Sequence, residues 1–120
     1  MSPAPGDPLE LAKSIVNTLE ERKAEDILLL DLSGICSFAD LFVICTGGSE
    51  RTLKALSNEV QRRVEKKYGR GPLHVEGEPA SGWVLHDYGS VVLHLFSEQL
   101  REYYGLEELW GEGKVLLRMA

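Results

Sequence analysis

The sequence predicts one α/β domain: a mixed β-sheet of about five strands with helices packed on it. Three observations carry that expectation. Apolar residues recur at spacings of three and four in two long segments, Leu11 to Leu19 and Leu53 to Val64, the stripe of an amphipathic helix. Short continuous apolar runs lie between and after them, too short for helices and suited to buried strands. The two kinds of segment alternate through 120 residues with no repeat or linker, so they build one core.

Asp7-Pro8-Leu9-Glu10 opens the first helix, with Asp7 as N-cap, Pro8 at the first helical position and Glu10 completing a capping box. Residues 1–7 are expected to form a short flexible N-terminus, and 8–120 the domain. Leu11, Ala12, Ile15, Val16 and Leu19 share one face, and the helix should end near Lys23 or Ala24. Asp26 to Leu32, interrupted only by Asp31, suits a central strand buried on both faces. Ser33-Gly34 breaks it, Ser37-Phe38-Ala39-Asp40 reads as a turn or a short helical lead-in, and Leu41 to Thr46 is a second buried strand.

Gly47-Gly48 turns the chain and Ser49 caps a helix whose Leu53, Leu56, Val60 and Val64 face inward, with Gly69 as its stop. Leu73 to Val75 reads as a short strand and Glu78 to Gly82 as a loop. Trp83 to Tyr88 and Val91 to Phe96 form a hairpin turning near Gly89. A two-residue loop would put Trp83, Leu85 and Asp87 on one face with Val92, His94 and Phe96, whereas a three-residue loop would flip that pairing. Ser97 caps a helix to Tyr104, Gly105 stops it, and Leu106 to Trp110 is another short turn of helix.

Composition excludes several classes. Hydrophobic residues make up 43% and charged residues 27%, the balance of a soluble globular chain, and no run approaches the roughly 20 apolar residues of a membrane span. Met1 to Pro8 has neither the positive charge nor the apolar stretch of a signal peptide, so the expected location is cytoplasmic. In a reducing compartment Cys36 and Cys45 read as buried, inert thiols, and two thiols alone cannot hold a structural zinc. A net charge of −6 is the reverse of a nucleic-acid binder's footprint and favours a basic protein partner.

No catalytic spacing stands out. Thr46-Gly47-Gly48-Ser49 joins a strand to a helix but lacks the lysine of a phosphate-binding loop. The enzymatic alternative is a magnesium-dependent nucleotidyltransferase using Gly48 and Ser49 with Glu76 and Glu78 as metal ligands. A tight turn with a helix cap explains the same residues. His74, His86 and His94 have no metal-ligand spacing, and no cofactor is expected. Arg62, Arg63, Lys66, Lys67 and Arg70 form a basic cluster, read as a solvated face or else as a minor contact to RNA or to an acidic surface. The last third instead concentrates both tryptophans and three tyrosines among carboxylates, the composition of a protein-docking surface. Trp83 and Trp110 fit core and surface equally well.

Several segments in order resemble one family across Leu9 to Trp110. They are Ala24-Glu25-Asp26-Ile27 before Leu30-Asp31-Leu32; Phe38-Ala39-Asp40 before Phe42 to Gly47; Val75-Glu76-Gly77; Gly82-Trp83-Val84-Leu85 with Asp87-Tyr88-Gly89; Val92, His94 and Phe96; and Arg101-Glu102-Tyr103-Tyr104 with Leu106-Glu107 and Leu109-Trp110. The chain is similar in these to the ribosomal silencing factors, or Iojap-related proteins. The resemblance implies a fold related to nucleotidyltransferases without their activity, and often a homodimer. It also implies binding to the large ribosomal subunit through its protein L-fourteen, which blocks subunit joining and represses translation. The expected docking residues are Trp83, Leu85, Asp87, Tyr103, Tyr104, Leu106, Glu107 and Trp110, with Arg101 either a partner contact or an internal tie to a carboxylate. Ser90 stands where the family usually has an acid, and His86 where it usually has an apolar residue.

Overall fold

A computed structural model of the chain describes residues 7–119. The expectation of a flexible 1–7 therefore lies, apart from Asp7, outside the described residues. In chain order the elements are α1 (Pro8–Glu21), β1 (Glu25–Asp31), β2 (Leu41–Thr46), α2 (Glu50–Tyr68), β3 (His74–Glu78), a 3-10 turn (Pro79–Ser81), β4 (Trp83–Asp87), β5 (Val91–Phe96), α3 (Glu98–Tyr104), α4 (Leu106–Leu109) and β6 (Lys114–Met119). The strands form one mixed sheet in the order β3-β4-β5-β2-β1-β6, with β2 and β5 its parallel pair.

The helix ends follow local chemistry. Asp7 accepts from the Glu10 amide and Ser49 from that of Thr52, while Gly69 leaves α2 in the left-handed conformation. α1 stops at Glu21, earlier than expected, because Lys23 turns left-handed (φ 62°) and folds the chain back into β1. Leu11, Ala12, Ile15, Val16 and Leu19 of α1 are buried with Leu53, Leu56, Val60 and Val64 of α2. They cover one sheet face, against Ile27, Leu29, Val43, Cys45, Val84, Leu93 and Leu95. Glu59 ties the two helices together: Arg22, Arg62 and Arg63 all approach it, and their guanidiniums pull its carboxyl down to about 2.

The opposite face carries Leu28, Leu30, Phe42, Ile44, Val92 and Phe96, covered in part by Leu32, Cys36 and Ala39 from the β1–β2 connection and by Leu100, Leu106 and Trp110. Cys36 and Cys45 thus lie in separate cores on opposite faces, both buried and free. Burial pushes the Cys45 thiol up to about 12, which keeps it protonated.

Two strand expectations are corrected. The sheet has six strands, because Lys114–Met119 pairs antiparallel with β1 as an edge strand. β3 runs to Glu78 rather than ending at Val75, so Glu76 and Glu78 are strand residues and not loop residues. Edge strands need no alternating apolar face, and β3 is held instead by backbone pairing with β4. At Gly77 (φ 82°) a Cβ would lie 2.1 Å from the Trp83 carbonyl oxygen. Gly77→Ala should therefore cost about 2 kcal/mol, read as a lower urea midpoint with an unchanged slope.

Candidate functional site

The hairpin settles which residues share a face. Tyr88 donates its amide to Val91, leaving Gly89-Ser90 as a two-residue turn, and the pairs are Trp83 with Phe96, Leu85 with His94 and Asp87 with Val92. Trp83, Leu85 and Asp87 therefore stand on the sheet face that α1 and α2 leave open. Val84, His86 and Tyr88 point the other way, into the helical core.

On the open face aromatic rings touch in sequence. Phe38 meets Trp110 at 6.2 Å between centroids, Trp110 meets Phe42 at 6.0 Å, and Phe42 meets His94 at 4.6 Å. His94 then stacks on Phe96, Phe96 on Trp83 at 5.0 Å, and Trp83 touches Tyr104 at 4.5 Å. The inner rings are core; the ends are not. Phe38 is 64% exposed, Tyr103 77%, Leu109 69% and Tyr104 46%. Trp83, Leu85, Leu106 and Trp110 are half-buried, each packed on the core with one side in solvent. Large apolar groups held rigidly and left partly wet are what an interface hot spot requires.

The charged candidates are mostly internal. Arg101 is buried: Nε and Nη2 both donate to Glu107 Oε1, and Nη1 donates to Thr46 Oγ1 (2.9 Å) and the Asp26 carbonyl (2.5 Å). Of the two roles expected for Arg101, the structure gives the internal tie. It fixes α3 and α4, and with them Tyr103, Tyr104, Leu106 and Trp110, to the ends of β1 and β2. Glu107 is occupied by Arg101, and Asp87 accepts from the Gly89 amide at 2.8 Å, so it braces the hairpin turn. Each carboxylate makes its internal bond through one oxygen and is part-exposed.

Phe38 belongs to this surface through its contacts with Phe42 and Trp110 and was not among the expected residues; Ile35 and Leu109 are further exposed apolar side chains. A phenylalanine inside the polar turn Ser37 to Asp40 is the signal that could have found Phe38.

The three histidines do not converge. His74 is exposed on edge strand β3, while His86 and His94 are buried on opposite faces. His86 Nε2 meets Ser57 Oγ of α2 at 2.8 Å, and His94 Nδ1 accepts from Trp83 Nε1 at 3.3 Å. Among the described residues no group of three His, Cys, Asp or Glu side chains could hold a metal. No helix there is long and apolar enough to cross a membrane.

Gly48, Ser49, Glu76 and Glu78 do not line one cavity. Gly48 and Ser49 border a cavity of about 590 Å³ with Pro79 to Gly82 and Ser97 to Leu100, and neither Glu76 nor Glu78 lines it. β3 is three strand spacings from β2, roughly 14 Å across the sheet. Ser49 is engaged as the cap of α2. In the basic cluster, Arg62 and Arg63 pair with Glu59 and Glu21 while lining a groove with Lys66, Lys67 and residues of α1.

Comparison with known proteins places the chain in a family. The family model described as "Ribosomal silencing factor during starvation" matches residues 5–118. A ribosomal silencing factor of Halalkalibacterium halodurans is 40% identical over 103 residues, covering 86% of this chain and 87% of that one. A mouse protein named "Mitochondrial assembly of ribosomal large subunit protein 1" is 32% identical over 115 residues, 92% of this chain and 50% of its own length. A crystal structure from Chromobacterium violaceum superposes with a TM-score of 0.81 at 38% identity, covering 88% of this chain and 87% of that one.

Proposed function

The chain belongs to the ribosomal silencing factor family, and on that premise we propose that it is a translational repressor that binds the large ribosomal subunit. It docks through ribosomal protein L-fourteen, occupies the face that meets the small subunit, and so blocks joining by steric exclusion, without turnover. Its work is cytoplasmic, and off the ribosome it pairs as a homodimer. On this reading the fold is related to nucleotidyltransferases by ancestry and carries no such activity. The observation that supports docking best is the aromatic surface on the open sheet face, running from Phe38 and Trp110 to Trp83 and Tyr104. The mouse relative's name, which couples it to the ribosomal large subunit, supports the choice of subunit. An acidic chain of net charge −6 also suits a basic ribosomal protein better than RNA.

Co-sedimentation with separated subunits, followed by raising magnesium to drive their joining, tests this. The expected result is binding to the large subunit alone and fewer joined ribosomes. Trp83→Ala should weaken binding by about 2 kcal/mol or more, roughly 30-fold. Because Trp83 also packs on Phe96, Tyr103→Ala serves beside it: Tyr103 is 77% exposed, so its loss should reduce binding without lowering stability. Both variants folded and binding like the parent would move the docking surface elsewhere.

A further inference from the structure

We infer that the cavity between β3, β4 and α3 is an anchor pocket for one lysine or arginine side chain of the protein that docks on the open face. The inference rests on the docking reading above and specifies the chemistry of one of its contacts. The cavity measures about 270 Å³, walled by Trp83, Leu85, Leu100 and Tyr104, with Glu76, Gly77 and Ser81 completing the lining. The Trp83 and Tyr104 rings, with centroids 4.5 Å apart and planes tilted at 45°, line it side by side.

The lining selects the guest. Apolar walls suit an alkyl stem, and ring faces attract a cation through their quadrupole. Glu76 is the one ionisable carboxylate in the lining, and its pairing opposite Leu85 sets it on this same face. At Gly77 the β3 backbone runs so close to Trp83 that a Cβ there would lie 2.1 Å from the Trp83 carbonyl oxygen, which keeps the neighbouring Glu76 strand position against β4. A purely apolar guest would strip water from Glu76 without replacing its hydrogen bonds, and an anionic guest would be repelled. A long side chain ending in an ammonium or guanidinium satisfies walls and carboxylate together. The net charge of −6 steers a partner of that kind toward the chain. Arg101 engages one oxygen of Glu107 and the hairpin turn one of Asp87, and Glu76 adds a further negative charge.

The test is equilibrium binding of the full chain to purified large ribosomal subunits at two salt concentrations. Glu76→Gln keeps the shape of the residue and removes its charge. It should bind about tenfold more weakly, with a shallower salt dependence and an unchanged urea midpoint, since Glu76 is exposed. Glu76→Lys places like charge against the guest and should weaken binding further still. If both variants bind like the parent while Trp83→Ala loses affinity, the docking surface stands and the cationic anchor is overturned. If the parent itself does not sediment with large subunits, the docking reading falls and takes the anchor with it.

Discussion

Arg101→Ala will destabilise the fold by about 3 kcal/mol, read as a lower urea midpoint with an unchanged slope. The arginine side chain is 9% exposed, and its fork serves acceptors from three different parts of the chain. Removing it strands the Thr46 hydroxyl on a strand where every residue is buried, and deprives the Asp26 carbonyl of its donor. An orphaned buried polar group costs roughly 1–3 kcal/mol. Glu107 is 32% exposed and can regain water, which keeps the total near the lower end for a broken buried pair. Asp26 adds to the effect. It sits at φ 46°, left-handed, where β1 bulges between Glu25 and Leu28, a conformation that side chains adopt at a cost. Arg101 clamps that bulge through its carbonyl. Arg101→Lys keeps the charge but loses the planar fork, and should recover less than half of the loss. A change below about 1 kcal/mol for Arg101→Ala would mean that the tie is solvated and that α3 and α4 are held by packing alone.

The same residue explains what the sequence discloses and what it hides. Asp7, Ser49, Gly69, Ser97 and Gly105 each act within a few residues of themselves, so helix ends are legible from local chemistry. The hairpin register follows from the two-residue turn Gly89-Ser90, and that alone places Trp83, Leu85 and Asp87 on one face. Arg101 reaches Asp26 across 75 positions and Thr46 across 55, and no periodicity or spacing encodes such a meeting. The ordered resemblance does contain Asp26, Thr46, Arg101 and Glu107, yet it cannot say that they touch. β6 escapes for another reason: Val115, Leu116 and Leu117 are consecutive and all exposed, with no inward and outward alternation to reveal a strand. The exposure of Phe38 and Leu109 is likewise a property of the assembled surface.

Acid will unfold this chain earlier than its carboxylates require, because two histidines are buried neutral. Burial pushes His86 down to about 4 and His94 to about 3 from an ordinary 6.5. Geometry gives the reason at His94. Trp83 Nε1 can only donate, so His94 Nδ1 must accept, and protonating that nitrogen sets two donors against each other. Phe42 and Phe96 lie against the ring and offer no counter-charge. His86 is wholly buried, with Ser57 at Nε2 and no partner at Nδ1. With both folded values below the unfolded one, the unfolded chain binds more protons throughout the interval between them. Stability is therefore complete above about pH 6.5 and declines as pH falls from there. Going from about pH 7.5 to about pH 5 should remove about 2 kcal/mol for each histidine. Glu59, held down to about 2 from an ordinary 4.5, begins to lose its contribution only as pH falls below about 5, so the step from about pH 7.5 to about pH 5 separates the histidines from it. Urea unfolding at the two pH values is the measurement, with His86→Leu as the internal control. That variant forfeits some stability at neutral pH by removing the Nε2 contact and leaving Ser57 Oγ with the Gln61 amide, but it should roughly halve the pH dependence. An undiminished slope in His86→Leu would assign the acid sensitivity to other groups.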